Sequence, residues 1–234
     1  MTFNIEEAKK QIDEHEIISF DVFDTLSLRP YVQPSDLFRH MEESNNSCKG
    51  FTNARLSSES VARNLNALQE DIYIDDIYQI IPRQYKKLKE VEINFEKTVS
   101  EVNPEMRELY EYAQKKRKRI IIVSDMYLPS SVIAEMLHKS GYVNYEKLYV
   151  SSTVKKTKRS SNLYNEILKD IRIEPSKILH IGDNRISDCK MAKVVGIDYI
   201  FCPKIIDRFF STPDGKKKSK YSMNVVTKVY KAAL

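Results

Sequence analysis

The sequence predicts an α/β fold with a parallel sheet, interrupted early by a helical insert. Two observations point there. Five short apolar, β-branched runs recur along the chain, at residues 17–21, 119–124, 148–151, 178–182 and 198–201. Helical patterns of about ten residues separate the later ones, and strands alternating with helices of that length imply βαβ units. A third observation sets the insert. From about Pro34 to Pro104 no run reads as a strand, and apolar residues recur at helical spacing, as in Leu56, Val61, Leu65 and Leu68, or Ile77, Ile80 and Ile81.

Taken in order, the run 17–21 is a buried strand that ends on Asp21. Pro82 marks a helix end or kink inside the insert, and Asn103-Pro104 closes it before a helix at 105–114. The run 119–124 ends on Ser124. Helices follow at 129–139, 162–171 and 187–195, and Gly141 and Gly196 end two of them as C-cap glycines do. The organisation expected is a core from residues 1–30 and 105–202, a helical insert at 31–104 and a basic tail at 203–234.

Composition excludes several classes. A chain of 234 residues with 41% hydrophobic and 30% charged residues can bury a core and stay in solution. It has no apolar run of about 18 residues, so no membrane span is expected. Residues 1–16 are acidic and polar, unlike a signal peptide. Cys48, Cys189 and Cys202 are scattered, without metal-binding spacing, and read as reduced thiols in a cytoplasm. The net charge of +5 belongs to the tail: residues 203–234 hold eight Lys or Arg against Asp207 and Asp214, which is +6, leaving about −1 for the rest. A solvated end is the plain reading, and an acidic partner the sharper one. The run 115–119 is likewise the basic end of a helix. No nucleic-acid motif accompanies these lysines, so no nucleic-acid partner is expected.

The candidate chemistry sits at strand ends, where open α/β sheets place their sites. Asp21-Val22-Phe23-Asp24-Thr25 follows the first run, Ser124-Asp125 closes the second, lysines 155, 156 and 158 follow the third, and Gly182-Asp183-Asn184 closes the fourth, with Asp188 five residues after Asp183. Each alone has a bland explanation, a turn or a helix cap. An Asp, a hydroxyl, a Lys and paired Asp, in that order, resemble the four motifs of the haloacid dehalogenase-like (HAD) superfamily. The wording Phe20-Asp21-Val22-Phe23-Asp24-Thr25-Leu26, Ser124-Asp125-Met126-Tyr127-Leu128-Pro129 and His180-Ile181-Gly182-Asp183-Asn184 is similar to a subgroup of predicted hydrolases often associated with bacterial capsule or surface-polysaccharide biosynthesis.

That resemblance implies a three-layer α/β/α core with strand order 5-4-1-2-3 and a helical C1-type cap formed by the insert. It implies a Mg²⁺-dependent phosphatase acting on a small phosphorylated metabolite, a sugar, alditol or capsule precursor. Asp21 is then the nucleophile that forms an aspartyl-phosphate. Asp21, Asp183 and Asp188, with the backbone carbonyl of Phe23, are the metal ligands. Ser124 binds a phosphoryl oxygen, and Lys158 pairs with nucleophile and phosphate, with Lys156 the second choice by register. Phe23 stands where the usual motif has a second Asp, the proton donor to the leaving group. Asp24 and Asp125 are the nearby carboxylates that could replace it. Arg29, just after the loop, is a candidate substrate contact. So are Arg55 and Arg63, which share a helical face with Glu59 and could equally form a surface ion-pair row. Dehalogenases of the superfamily also lack the second Asp and need no metal, so a dehalogenase is an alternative, as is a catalytically weak binding module that works through the tail.

Overall fold

In the computed structural model, which describes residues 3–44 and 48–212, a five-stranded parallel sheet forms the centre. Its strands are β1 (Ile17–Phe20), β4 (Arg119–Ser124), β5 (Lys147–Val150), β6 (Ile178–Gly182) and β7 (Asp198–Phe201), in the order β5-β4-β1-β6-β7. A separate antiparallel ribbon pairs β2 (Ser27–Leu28) with β3 (Glu101–Val102). Counted among themselves, the five sheet strands run 3-2-1-4-5, with the first at the centre.

The sheet is buried on both faces, which is why its strands are continuous apolar runs rather than alternating ones. Successive side chains still point to opposite sides. Ile18 and Phe20 of β1, with Ile120 and Ile122 of β4, face one layer; Ile17, Ile121 and Val123 face the other. The first layer holds α1 (Ile5–Glu14), α6 (Pro104–Lys115) and α7 (Ser130–Lys139), through Ile12, Leu109, Tyr110 and Ile133. The second holds α9 (Asn162–Ile171) and the short α10 (Met191–Val194), through Leu163, Tyr164, Ile167 and Ala192. At about 1.5–3 kcal/mol for each fully buried Ile, Leu or Phe, the side chains on both sides of β1 fix that strand firmly, and with it the position of Asp21 one residue beyond its end.

Between β2 and β3 the chain is helical: α2 (Asp36–Ser44), α3 (Phe51–Leu65), α4 (Ile74–Ile80), a 3₁₀ turn at Arg83–Leu88 and α5 (Lys89–Val99). Phe38, Phe51 and Tyr85 meet edge to face inside it. The apolar residues of this insert are continuous with those of the first layer. Leu56, Val61, Leu65 and Leu68, taken from their spacing as apolar-face residues, are all exposed instead.

Two local departures matter for the site. Where one helix was expected at 187–195, a π-helical turn at Arg185–Lys190 precedes α10. The Cys189 N–H reaches back to the Asn184 carbonyl at 3.2 Å, and such wide turns tend to occur at functional positions. Residues 203–212 are also not a solvated end. Helix α11 (Ile205–Ser211) buries Ile206, and Arg208 pairs with Glu105 of α6 at 2.7 Å. The remainder of the expected tail, 213–234, lies outside the described residues.

Candidate active site

Asp21 leaves the central strand with its N–H bonded to the Ile181 carbonyl at 2.9 Å, so the neighbouring strand β6 fixes its backbone. Its carboxylate is nearly buried and meets the Lys158 ammonium at 2.5 Å. The same ammonium contacts Asp188 Oδ1 at 2.6 Å. Of the three lysines weighed from the sequence, Lys158 is the one among the carboxylates. Lys155 lies over the Tyr73 ring, and Lys156 is half-exposed near Glu70.

Asp188 is not the helix cap that its sequence position allowed. Asn184 caps the turn, accepting from the N–H groups of Ile186 and Ser187. Asp188 turns back over Gly182, where a Cβ would fall 2.5 Å from its carboxyl group, so the site needs glycine at 182. There it takes the Asn184 N–H on Oδ2 at 2.8 Å and lies 3.3 Å from His180 Nε2. His180 Nδ1 in turn lies 2.7 Å from Ser19 Oγ. Asp183 sits across the cluster, 3.2 Å from the Lys204 ammonium, which also holds Asp24 at 2.8 Å.

The electrostatics follow from burial set against these partners. Burial pushes the Asp21 carboxyl up, and Asp188 and Asp183 add to this against Lys158. Burial opposes charge on Lys158, yet Asp188 and Asp21 more than compensate and keep it protonated. Burial would raise the Asp188 carboxyl, but Lys158 and His180 together outweigh it and hold Asp188 below the carboxylate range. Asp183 is pushed up to about 6 by burial, with Lys204 opposing.

One oxygen each of Asp21, Asp183 and Asp188 lies within 4.8 Å of the others, a cluster that could hold a metal ion. An all-oxygen, carboxylate set suits a hard cation such as Mg²⁺. The Ser124 hydroxyl, at the end of β4 and so on the strand next to that of Asp21, is buried and, like those of Ser27 and Thr52, without a hydrogen-bond partner among the described residues. A buried polar group left unpaired is costly, and a bound anion would satisfy this one.

A cavity of about 390 Å³ opens between insert and core. Phe23, Arg29, Arg63, Asp125 and Arg159 line it. Phe23 packs its ring 4.8 Å from the Arg29 guanidinium. Arg29 is itself held by Asp24 at 3.3 Å and Glu96 at 3.5 Å. Arg63 is taken up by Glu59 and Asp71. Arg55 lies away from the cavity and is no surface residue: it is fully buried, forked onto both oxygens of Glu92 at 2.8 and 2.9 Å, bonded to Glu59 at 2.9 Å, and packed between the Phe38 and Tyr127 rings. Full burial rules out the substrate-contact reading of Arg55; the ion-pair row with Glu59 and Arg63 does form, but at Arg55 it lies inside rather than on the surface, because Glu92 of a different helix meets it there.

The two carboxylates considered as proton donors have different surroundings. Asp24 adopts φ 60°, a left-handed conformation Asp tolerates. Burial would raise its pKa, but Arg29 and Lys204 together hold it below the usual range. Asp125 faces the cavity and accepts the Lys158 N–H at 2.8 Å; burial pushes its carboxyl up against the pull of Lys158. Sequence reasoning missed Lys204, which lay in the stretch assigned to the tail, and His180. The alternation of β6 puts His180 on the same side as Gly182, which was the available signal for the histidine.

A model of the haloacid dehalogenase-like hydrolase family matches residues 15–196. The chain belongs to this family. The solved structures similar to it share its fold at low identity. A haloacid dehalogenase-like hydrolase from Xanthomonas campestris has a TM-score of 0.58 at 16% identity, covering 81% of this chain and 82% of its own. L-2-haloacid dehalogenase from Xanthobacter autotrophicus has a TM-score of 0.56 at 12% identity, covering 88% and 87%. A HAD family enzyme from Bacteroides thetaiotaomicron, a mutant in complex with magnesium and inorganic phosphate, has a TM-score of 0.53 at 14% identity, covering 82% and 95%. No curated protein matches the chain. Among the described residues no helix is long and apolar enough to cross a membrane.

Proposed function

We propose that this HAD-like hydrolase is a Mg²⁺-dependent phosphatase acting on a small phosphorylated metabolite through an aspartyl-phosphate on Asp21. The observation that carries the reading is the three-carboxylate cluster, with the unpartnered Ser124 hydroxyl at the end of β4, the strand paired with β1. Carboxylates grouped closely enough to share a cation, and a hydroxyl free to donate, fit a phosphoryl group with its metal. Asp21, Asp183, Asp188 and the Phe23 carbonyl would hold the ion, which when bound would offset charge on the phosphoryl oxygens.

The chain's own residues supply the rest. Asp21 attacks phosphorus, the bond to the leaving oxygen breaks, and water then cleaves the acyl phosphate, which divides one hard step into two. Lys158 stabilises the added charge on the phosphoryl oxygens, and Ser124 donates to one of them. Asp125 gives the leaving oxygen its proton, a role supported by its place on the cavity wall and its raised pKa, and Arg29, Arg63 and Arg159 line the volume that the remainder of the substrate fills. A cavity of this size suits a sugar or alditol phosphate, in line with the motif resemblance to the capsule-associated subgroup.

The dehalogenase reading rests on Phe23 alone. A set of three carboxylates that suits a metal favours the phosphatase. Phosphate release from a panel of sugar, alditol and other metabolite phosphates tests this, with Mg²⁺ and again after EDTA. The expected result is release from at least one phosphate that EDTA abolishes. Halide release from 2-haloacids that is indifferent to EDTA would overturn it.

A further inference from the structure

Glu70 and Asp71, at the turn between α3 and α4 of the insert, do not face solvent freely. They grip the segment 151–162, which runs from the short α8 (Ser151–Val154) after β5 to the first residue of α9 and carries Lys158. Glu70 Oε2 accepts the Thr157 N–H at 2.8 Å, the Thr157 hydroxyl at 3.3 Å and the Ser160 hydroxyl. Its Oε1 accepts from Asn162 Nδ2 at 2.5 Å, with Lys156 at 3.7 Å. Asp71 takes the Ser151 hydroxyl at 2.5 Å, and its carbonyl takes the Lys155 ammonium at 3.3 Å.

The gripped segment turns sharply at two points. Lys155 and Ser161, at the ends of the helices that flank it, have φ values of 59° and 68°, left-handed conformations uncommon for residues other than glycine. On the core side the segment is anchored by Asp125, which accepts the backbone N–H groups of Lys158 and Arg159. On the insert side the anchors are Glu70, nearest to Lys158 in sequence through Thr157, and Asp71, at Ser151 and Lys155. Lys158 itself makes no contact with the insert through its ammonium, which is committed to Asp21 and Asp188.

We propose that Glu70 is a positioning residue that makes the seating of Lys158 conditional on docking of the helical insert. With the insert docked, Glu70 closes the segment and the ammonium sits between Asp21 and Asp188. With the insert displaced, the segment loses its acceptors on that side and Lys158 leaves the nucleophile. This rests on the role given to Lys158 in the proposed phosphatase, but its structural half can be read without turnover.

The segment offers trypsin four basic residues in five, Lys155, Lys156, Lys158 and Arg159. In the full-length protein, Glu70→Ala should speed trypsin cleavage within 155–159 about tenfold. With p-nitrophenyl phosphate and Mg²⁺ as probe, it should lower kcat about tenfold or more and change KM less than about threefold, because the interaction lost belongs to the transition state. Glu70→Gln, which keeps one acceptor oxygen, should fall between, and carries the comparison if Glu70→Ala fails to fold. Wild-type trypsin resistance in the variants overturns the proposal, as does faster cleavage with unchanged kcat. If the wild type releases no phosphate, the phosphatase reading fails, and trypsin cleavage alone upholds or overturns the coupling.

Discussion

Phe23 takes one carboxylate out of the nucleophile loop, and the two nearest candidates to replace it have been given opposite surroundings. Asp24 is spent on Arg29 and Lys204, whose charges hold it ionised despite its burial. Asp125 lines the cavity, and burial raises its pKa. For an alkyl phosphate, whose leaving group needs a proton, Asp125→Asn should cost about 10²–10⁴ in kcat. Asp24→Asn should cost far less in rate, its effect showing as lost stability from unpairing Arg29 and Lys204. Steady-state kinetics on the same alkyl phosphate decide this, and an equal or larger loss in Asp24→Asn would reverse the assignment. At this scale much of the site could be read from sequence, because Asp21, Ser124 and Asp183 each stand at the end of an apolar run. Lys204 could not, since nothing local distinguishes a lysine after the last strand from one in a tail.

Among the elements, the insert is held by an ion pair of unusual burial. Arg55 of α3 is forked onto Glu92 of α5, both almost wholly buried, with Tyr78 donating a further hydrogen bond to Glu92 at 2.8 Å. Removing one partner of such a pair leaves a charge without compensation. Arg55→Met should therefore destabilise the protein by about 3–5 kcal/mol, and the double variant with Glu92→Leu should recover most of this. Urea unfolding measures both; a loss in the range of an exposed pair, below about 1 kcal/mol, would mean the pair is solvated. Helical spacing in the sequence put Arg55, Glu59 and Arg63 on one face, as they are. It could not show that the face turns inward at Arg55, because the acid that accepts it lies 37 residues away. The π turn was hidden for a related reason: the pull of Asp188 toward His180 and Lys158 is tertiary, and local periodicity reads only as a helix.

For the whole molecule, the alternation of strands and helices was enough to give the parallel α/β core, since a sheet covered on both faces writes itself as continuous apolar runs. The ribbon of β2 and β3 was too short to leave a pattern of its own. The core also carries a titration signature. His180 is fully buried in β6, and burial lowers its pKa from 6.5, against the pull of Asp188. Below pH 6.5 the unfolded chain therefore binds a proton that the folded chain resists, and this contribution to stability declines as pH falls from there toward the lowered folded value. Asp183, pushed up to about 6, and Asp21, pushed up by burial, act with the opposite sign, so the His180 share is read as a difference: between about pH 7.5 and about pH 5.5 the wild type should lose more stability, or gain less, than His180→Gln in denaturant unfolding. A steeper decline in the variant would contradict this account.

The central claim is that Asp21 is the nucleophile of a phosphoryl-transfer site assembled from four strand ends. The most direct measurement is phosphate release with Mg²⁺ from the best substrate of the panel, comparing wild type with Asp21→Asn at matched folded concentration. Release should be lost in the variant while its fold persists. Equal release from the two proteins would contradict it.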